Sequence, residues 1–405
     1  MQKSLAKLIS TTIIASAIAI VGISAPTYRT TTLSLIGHQY DGTVISDIII
    51  HNTGGDGIVL RDVNNVTIRN CEIYNVSEGI AFSSLGNTNN VTIENCNIHD
   101  TGRNGIIIKQ HVGYNQTNVS IKNNKITNTG TSSTSGAYHG IYMQATDNVI
   151  IGNTIDVSTG NGVSIRSSGT VSGNRISNTA KSCVRYFSDN ATGTTKKLLV
   201  ENNLCVNPAP DYPALSILWG ANPAVVTTFD IRFNTLIGGL SAFQVQSSQF
   251  STAQVSFYGN LFNKPFSPTY VDYQVGNLQS ALPLNSDYSL PSGHPAIGFS
   301  SSVRDFPPID INGAQRISID AGAFAYASSV VTPSTQVPPT NTFTVSPSQT
   351  PSPTRTSTAN PTITPAKTVT PTVTQTVSPI PTTQVPTLVC YPVLVGDKYI
   401  GEFCP

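Results

Sequence analysis

The chain has 405 residues, a formal net charge of +1 and only 11% charged residues. So weak a charge predicts no attraction to nucleic acid or to a membrane surface. None of the six cysteines has C-x-x-C spacing, which argues against a zinc site and leaves disulfides open. Abundant glycine, asparagine, serine and threonine favour a turn-rich β protein.

The N-terminus carries Lys3 and Lys7, followed by an apolar run over residues 8–23 that ends in "GISAP". A basic start, an apolar stretch and small residues predict a secretory signal peptide over residues 1–24. An uncleaved membrane anchor is the alternative, because the run is nearly long enough to span a bilayer. Both interpretations place the folded part outside the cytoplasm, either secreted or at the cell surface.

The middle of the chain repeats itself. The phrase "NNVTIRNCEIYN" at 64–75 returns as "NNVTIENCNIHD" at 89–100 and as "TNVSIKNNKITN" at 117–128. Each copy is followed by a second phrase, such as "EGIAFSS" or "NGIIIKQ". An Asn marker recurs nine times between Asn52 and Asn260, so eight steps cover 208 residues, about 26 per repeat. A fixed period of this size predicts a solenoid.

The inner period of each repeat decides the type of solenoid. Apolar residues alternate in "VTIRN", as in strands, and no segment sustains the 3.6-residue period of a helix. Short strands that cannot bury their own faces can stack around a continuous core. We therefore predict an all-β fold, a right-handed parallel β-helix of about nine coils over residues 38–265. The Asn marker is expected in a left-handed turn conformation, with stacked copies forming an Asn ladder.

The repeats "NVTIRNCEI" and "NGIIIK" resemble right-handed parallel β-helix proteins of the pectate-lyase-like superfamily. The phrases "DYSLPSGHPAIGF", "DINGAQR" and "DAGAFAY" are similar to the segment that closes many secreted β-helix proteins, here expected at residues 266–329. The chain departs from that pattern at His294, Gly298 and Ala325. The resemblance covers residues 40–330 and implies the fold, but the superfamily contains lyases, hydrolases, epimerases and adhesins, so it selects no activity.

Candidate site residues come from the outward positions of the second phrase. Stacked coils lie about 4.8 Å apart, so equivalent positions form columns. One outward column runs through Ile107, Tyr142, Ser164, Arg185, Ser216 and Gln244. The next runs through Ser83, Lys109, Gln144, Arg166, Phe187, Leu218 and Gln246. Lys109, Tyr142, Gln144, Arg166 and Arg185 are therefore expected to share one face in the middle of the solenoid.

This set of side chains suits β-elimination on a uronic acid. The reaction needs a base, a cation on the carboxylate and an acid for the leaving oxygen. Lys109 is the candidate base, with His111 as a substitute. Arg166 or Arg185 would pair with the carboxylate, and Tyr142 would be the acid. Two alternatives stay open: solvated residues on an exposed sheet, or ligand contacts without catalysis.

Further candidates would contact substrate. Gln144, Gln244 and Gln246 lie in the two columns. His139 follows the insertion "TGTSSTSGAY" and is either a groove-edge ligand or a turn residue. Trp219, the only tryptophan, would stack on a sugar ring or lie partly buried under a loop.

Hydrolysis is a second enzymatic alternative. Asp56 and Glu78 occupy equivalent positions on successive coils, close enough for a retaining pair. The same column continues as Asn104, His139 and Asn161, which favours a polar turn position instead. The resemblance also raises calcium, but the sequence has no acidic cluster to support it; we therefore name no metal ligands and no cofactor, and calcium stays an open option.

Cys71 and Cys96 are expected in one column on adjacent coils, where they would form either a disulfide or a pair of buried thiols.

Residues 330–388 are rich in Thr, Pro and Ser and cannot form a core, so a disordered stalk is expected there. Residues 389–405 form a short tail, in which we predict a Cys390–Cys404 disulfide.

The sequence therefore predicts an exported, monomeric β-helix protein that binds a polysaccharide, with an acidic glycan and a lyase activity as options. The stalk would connect it to the cell envelope. A non-catalytic adhesin or structural rod displayed on that stalk is the competing class.

Overall fold

The structure, a computed structural model, describes residues 26–111, 113–132, 136–188, 197–219, 228–246, 253–326, 391–395 and 398–403. The chain divides into two units, residues 1–332 and 333–405. The described residues of the first unit form three parallel sheets and one short 3₁₀ turn, His38–Tyr40. Over the described part of the chain, no helix is long and apolar enough to cross a membrane.

Each sheet takes one strand from each successive coil. The strands of sheet C are Val44–Ser46, Thr67–Arg69, Thr92–Glu94, Ser120–Lys122, Asn148–Ile151, Gly169–Ser172, Lys197–Glu201, Thr228–Arg232, Gln254–Tyr258 and Tyr273–Val275. Those of sheet A are Thr27–Arg29, Ile48–His51, Glu72–Val76, Asn97–Thr101, Lys125–Thr129, Thr154–Ser158, Arg175–Thr179, Leu204–Val206, Thr235–Ile237, Leu261–Phe262 and Leu278–Gln279. Those of sheet B are Leu33–Ile36, Ile58–Arg61, Ile80–Phe82, Ile106–Ile108, Ile141–Met143, Val163–Ile165, Val184–Ser188, Leu215–Trp219 and Phe243–Val245.

The predicted right-handed parallel β-helix is confirmed. Along the chain, each coil runs from sheet C to sheet A to sheet B. The sheets keep one register, so that Ile80, Ile106 and Ile141 lie directly beside one another on successive coils. All three are fully buried, and burial of each such side chain is worth about 1.5–3 kcal/mol. No single coil encloses its own core, so stacking supplies the stability.

The glycine of the second phrase marks a tight approach between sheets A and B. A Cβ at Gly105 would lie 2.5 Å from Cγ2 of Ile126 and 2.7 Å from the carbonyl oxygen of Gly140. A Cβ at Gly79 would lie 2.3 Å from the carbonyl oxygen of Gly105. In these coils only glycine fits without moving the backbone of the next coil, whereas later coils have Cys183, Ala214 and Ala242 at the equivalent position.

The Asn marker turns out to occupy two adjacent positions. Asn70, Asn95 and Asn123 have φ near 54° and make the predicted left-handed turn. The ladder lies one residue later and points inward: Asn124, Asn153, Asn174, Asn203, Asn234 and Asn260. The marker at Asn52 was placed wrongly, because the register aligns His51 with Tyr74 and so puts Asn52 at the next turn.

The ladder satisfies buried backbone groups across coils. The Asn174 backbone N–H and its Nδ2 both donate to Oδ1 of Asn203, at 3.0 and 2.9 Å. Nδ2 of Asn174 also donates to the carbonyl of Ile150 at 2.9 Å. In earlier coils the same column holds Cys71 and Cys96, which are buried and free. Of the two options for this pair, the structure therefore has two thiols.

A disulfide joins Cys183 and Cys205, whose pairing the sequence left open. Cys183 precedes a strand of sheet B, and Cys205 lies within sheet A. Both side chains are buried, so the bond crosses the core of the solenoid. It links positions 22 residues apart in sequence.

The closing segment, described over residues 266–326, packs along the outside of the last coils. Its Phe324 is buried against Leu204 and Val206 of sheet A. The guanidinium of Arg316 is also buried, donates to Asn202 Oδ1 at 2.9 Å and lies 5.2 Å from the ring centre of Phe233. The motifs that suggested a closing segment therefore cover the corner that carries the Asn ladder.

In the second unit, strands Tyr391–Val395 and Lys398–Phe403 pair as an antiparallel hairpin. The predicted disulfide partners Cys390 and Cys404 lie outside the described residues. So do the predicted signal peptide, residues 1–24, and the predicted stalk, residues 330–388.

Candidate functional site

The two predicted outward columns exist on sheet B. Tyr142, Ser164, Arg185 and Ser216 are consecutive partners across neighbouring strands. Lys109, Gln144 and Arg166 form the second column just past the strand ends. There the Gln144 N–H donates to Ile108 and the Arg166 N–H to Met143, at 3.0 and 2.8 Å. The alternating period alone therefore assigned these side chains to the correct face.

Arg166 is not a solvated surface residue. It is only 8% exposed, and its guanidinium carbon lies 5.0 Å from the ring centre of Tyr142 and 4.6 Å from that of Phe187. Aromatic rings attract a cation on their faces most strongly where water is excluded. The rings of Tyr142 and Phe187 fix this cation at the floor of the face.

Arg185 is held by hydroxyl groups. Its Nε donates to Oγ of Ser216 at 3.1 Å, and Nη2 donates to Oγ of Ser182 at 3.3 Å. The ring centre of Tyr212 lies 5.1 Å from its guanidinium carbon. Partial burial is the main cause that lowers the pKa of Arg185, and Arg166 adds to it. These contacts fix the orientation of the guanidinium without neutralising it.

Lys181 belongs to the same site and was missed at the sequence level. It lies at the turn between sheets A and B rather than in an outward column. Burial and Arg185 lower the pKa of Lys181. Gly136, in the insertion before His139, makes room for it: a Cβ there would lie 2.6 Å from Cε of Lys181. The insertion thus folds against Lys181, a contact that no sequence period reports.

Three cations of this face lack a salt bridge to any carboxylate that the structure describes. Lys109, Lys181 and Arg185 form no salt bridge with any described carboxylate. Lys109 is exposed, and so is His111, whose ring lies 6.4 Å from that of Tyr114. The face is therefore a concentration of positive charge on a chain that is nearly neutral overall.

His139 lies beside this site and supports the backbone of a turn. It follows Asn104 in a turn column where each side chain accepts the N–H of the next coil. Oδ1 of Asn104 accepts from His139 at 2.7 Å, and Nδ1 of His139 accepts from Asn161 at 3.0 Å. Nδ1 is therefore unprotonated. Burial, with Arg166 and the other nearby cations, lowers the pKa of His139 to about 3. The neutral ring stacks on Tyr142, with 5.8 Å between ring centres.

Asp56 and Glu78 begin the same turn column. Oδ1 of Asp56 accepts the Glu78 N–H at 3.1 Å, and Oε2 of Glu78 accepts the Asn104 N–H at 2.7 Å. Burial raises the pKa of Glu78. Both carboxylates are occupied by backbone groups, which matches the polar turn position better than a hydrolytic pair.

The glutamines have separate roles. Oε1 of Gln144 accepts the Gln110 N–H at 2.7 Å and so anchors the loop after Lys109. Nε2 of Gln246 donates to Oε1 of Gln244 at 2.8 Å on the last strand of sheet B. The side chain of Trp219 lies outside the described part, so its stacking role stays a prediction. Over the described residues, no group of three or more His, Cys, Asp or Glu side chains could hold a metal ion.

Sequence comparison agrees with this architecture. The family model described as "Right handed beta helix region" matches residues 28–133 and 85–262, more than half of the chain. The chain belongs to this family. No curated protein matches the chain in sequence.

Solved structures of the same type include three carbohydrate-active proteins. The catalytic unit of an α-1,3-glucanase from Streptomyces thermodiastaticus is 16% identical over 63% of this chain and 64% of its own, with a TM-score of 0.36. The chain thus spans less than two thirds of that unit. The A-module of the mannuronan C-5 epimerase AlgE4 from Azotobacter vinelandii is 14% identical over 64% and 78%, with a TM-score of 0.40. The pectate lyase Pel9A is 13% identical over 75% and 85%, with a TM-score of 0.41. At such identities the likeness carries no information on activity.

Proposed function

We propose that the outward face of sheet B binds an acidic polysaccharide. The observation that carries the proposal is the placement of three cations. Arg166 directly follows the strand of sheet B that pairs with the strand of Arg185, and Lys181 lies at the turn that leads into the strand of Arg185. Lys181 and Arg185 are partly buried and lack ion pairs with described carboxylates. Charge–charge attraction is stronger at such sites than in open water. A ligand carboxylate or sulfate would supply a counter-charge to these two cations.

The aromatic rings of the face suit the sugar part of the same ligand. Tyr142, Phe187 and Tyr212 each lie against one of the two arginines. Because Tyr142 is already stacked on His139 and Arg166, Phe187 and Tyr212 are the rings that would pack on the C–H faces of pyranose rings. Because coils stack about 4.8 Å apart, an extended glycan along the axis would meet a new set of side chains at each coil.

Binding to a panel of polyuronates and neutral glycans, by titration calorimetry, tests this proposal. The double variant Lys181→Gln, Arg185→Gln should bind polyuronate at least about tenfold more weakly. Lys125→Gln is the matched control, because it removes an exposed cation from sheet A. Added salt should also weaken wild-type binding. Equal affinity for neutral and acidic glycans, or no loss in the double variant, would contradict the proposal.

Cleavage by β-elimination is a second candidate function. Lys109 is exposed on the same column as Arg166, and the ring of Tyr142 lies against the Arg166 guanidinium. In this proposal Lys109 removes the proton at C5, with His111 as the substitute. The C4–O bond then breaks, a C4–C5 double bond forms, and Tyr142 protonates the leaving oxygen. Arg166 or Arg185 stabilises the charge that builds on the carboxylate.

Ultraviolet absorbance of unsaturated products, followed over the same polyuronates, tests this second function. Lys109→Ala and Tyr142→Phe should each abolish product while leaving polyuronate affinity within about threefold of wild type, because both variants keep Lys181 and Arg185, the cations to which binding is assigned. No product from folded protein that still binds would refute the lyase and leave a binding protein. No binding to any glycan would favour the structural rod.

Export is part of the proposal. The Cys183–Cys205 disulfide supports an oxidising compartment, as expected from the predicted signal peptide. The mass of the mature protein would show whether cleavage follows Ser24. Size-exclusion chromatography tests the predicted monomer, and cell fractionation tests attachment to the envelope through the stalk.

A further inference from the structure

Two free thiols stand in the column of the Asn ladder. Cys71 and Cys96 occupy the ladder position on successive coils, directly before the paired sheet A strands Glu72–Val76 and Asn97–Thr101. Each of the two residues is only 2% exposed. The proposed glycan face lies on sheet B, so it gives neither thiol a role.

The ladder column brings the ends of successive side chains into contact. Farther along the column, Nδ2 of Asn124 donates to Oδ1 of Asn153 at 3.0 Å. The Cys96 thiol takes the place of such an amide, because its Sγ donates to the carbonyls of Ile68 and Glu94, at 3.8 and 3.4 Å. The thiol of the preceding coil is therefore its direct neighbour.

Contact between the two thiols makes them chemically unequal. A hydrogen bond from the Cys96 thiol lowers the pKa of Cys71, although burial opposes this effect. The same contact, together with burial, raises the pKa of Cys96. Cys71 is therefore the thiol that more readily becomes a thiolate, the form that attacks a disulfide.

A small molecule can reach Cys71 from the N-terminal end of sheet A. In the column Cys71 follows Ile48, which pairs with Thr27 of the first described strand. Only the strands Thr27–Arg29 and Ile48–His51 separate Cys71 from the end of the sheet in the described part of the chain. Terminal strands open locally at a lower free energy than the centre of a fold. Opening of these strands exposes Cys71 while the other coils stay folded.

We propose that Cys71 and Cys96 are a redox pair, which closes to a disulfide by exchange with a small-molecule disulfide. The Cys71 thiolate attacks one sulfur of the reagent, forms a mixed disulfide and releases one thiol. Cys96 then loses its proton and attacks the Cys71 sulfur, which releases the second thiol. The reagent disulfide is reduced to two thiols, and the protein loses two hydrogen atoms. The new bond closes one complete coil into a covalent ring.

The oxidised pair should make the N-terminal coils open less often. A disulfide restricts the opened chain and so disfavours opening, as Cys183–Cys205 does farther along the solenoid. Amides of the strand Glu72–Val76 should exchange with solvent at least about tenfold more slowly after oxidation. Hydrogen exchange followed by mass spectrometry measures this effect, and equal rates in the two redox states would contradict it.

Peptide mass spectrometry on the full chain tests whether the bond forms. The folded chain is mildly reduced and incubated with hydroxyethyl disulfide, and the free thiols are alkylated after unfolding. Cleavage after glutamate separates the two cysteines, because Glu78 and Glu94 lie between them. Cys71 and Cys96 should lose alkylation together and appear as one linked pair of peptides. The same incubation in urea shows that the reagent is active. Two alkylated thiols in the folded protein, or a lasting adduct of the reagent, would overturn the proposal.

Two serine variants test the order of attack. Cys96→Ser keeps a hydroxyl donor beside Cys71 but cannot resolve the mixed disulfide, so an adduct of the reagent should accumulate on Cys71. Cys71→Ser should leave Cys96 at least about tenfold less modified. Circular dichroism checks that both variants fold, and the bonded Cys183 and Cys205 are the internal control. Equal adducts in the two folded variants would indicate independent thiols and overturn the proposal.

Discussion

His139 should make the stability of the β-helix depend on pH, and replacing it with asparagine should remove that dependence. His139 stands in a turn column between Asn104 and Asn161, and its Nδ1 accepts the Asn161 N–H. An asparagine Oδ1 can accept the same bond, as Asn104 already does for His139. The variant His139→Asn therefore keeps the backbone contact and removes only the titrating ring.

The expected size follows from the pKa of His139, which the fold lowers to about 3. An unfolded histidine titrates near its ordinary value, about 6.5. Because the folded state lowers the pKa of His139, the neutral ring makes its full contribution to the free energy of unfolding at pH values above the unfolded pKa. That contribution is lost as the pH falls towards the pKa of His139 in the folded protein. At about pH 4.5, roughly two units below the unfolded value, the loss should be about 3 kcal/mol.

Urea unfolding of wild type and His139→Asn across the range from neutral to about pH 4.5 measures this effect. At neutral pH the variant should be less stable by about 1–2 kcal/mol, because it loses the stack on Tyr142 and some volume. In acid the two should converge or cross. His38→Asn is the control: it removes only a solvent-exposed pair with Asp41, so it should change the pH dependence far less than His139→Asn does. Parallel loss of stability in wild type and His139→Asn would refute the reasoning.

Three further predictions concern the turn columns. Cys96→Asn should extend the Asn ladder beyond Asn124 and stabilise the fold by about 1 kcal/mol. Cys96→Ala should destabilise the fold. Thermal unfolding of the two variants and the wild type measures the difference. Asn174→Ala should cost about 3 kcal/mol in urea unfolding, because it leaves several buried backbone groups without partners; a loss under about 1 kcal/mol would contradict the ladder. Glu78→Gln should be more stable than wild type at neutral pH, because burial raises the pKa of Glu78 and the fold therefore favours its protonated form. That advantage should disappear below about pH 4 in acid unfolding curves, and an advantage that grows in acid would show the sign to be wrong.

The alternation of side chains was enough to assign faces. In a stacked parallel sheet every second residue points outward, and equivalent residues of successive coils are neighbours. The sequence therefore placed Tyr142, Ser164 and Arg185 in one column, as the strand register has them. The same reasoning could not separate the left-handed turn residue from the inward ladder residue. The two are adjacent, and both favour asparagine.

The alternation of side chains could not predict the burial or the contacts of each site residue. Arg166 was predicted on the outward face, but its burial between two rings depends on Phe187, contributed by the next coil. Lys181 was not predicted, because its position depends on how the insertion folds around Gly136. His294 lies opposite sheet A only because the closing segment folds back on it.

The sequence by itself determined the repeat, the parallel β-helix and the face on which each strand residue lies, since these follow from a local period of two within a coil. The tertiary structure alone decided which side chains meet across coils and which of them lose contact with water. Burial and charge compensation depend on distant segments that contact one another only when the chain has folded, so no local pattern encodes them.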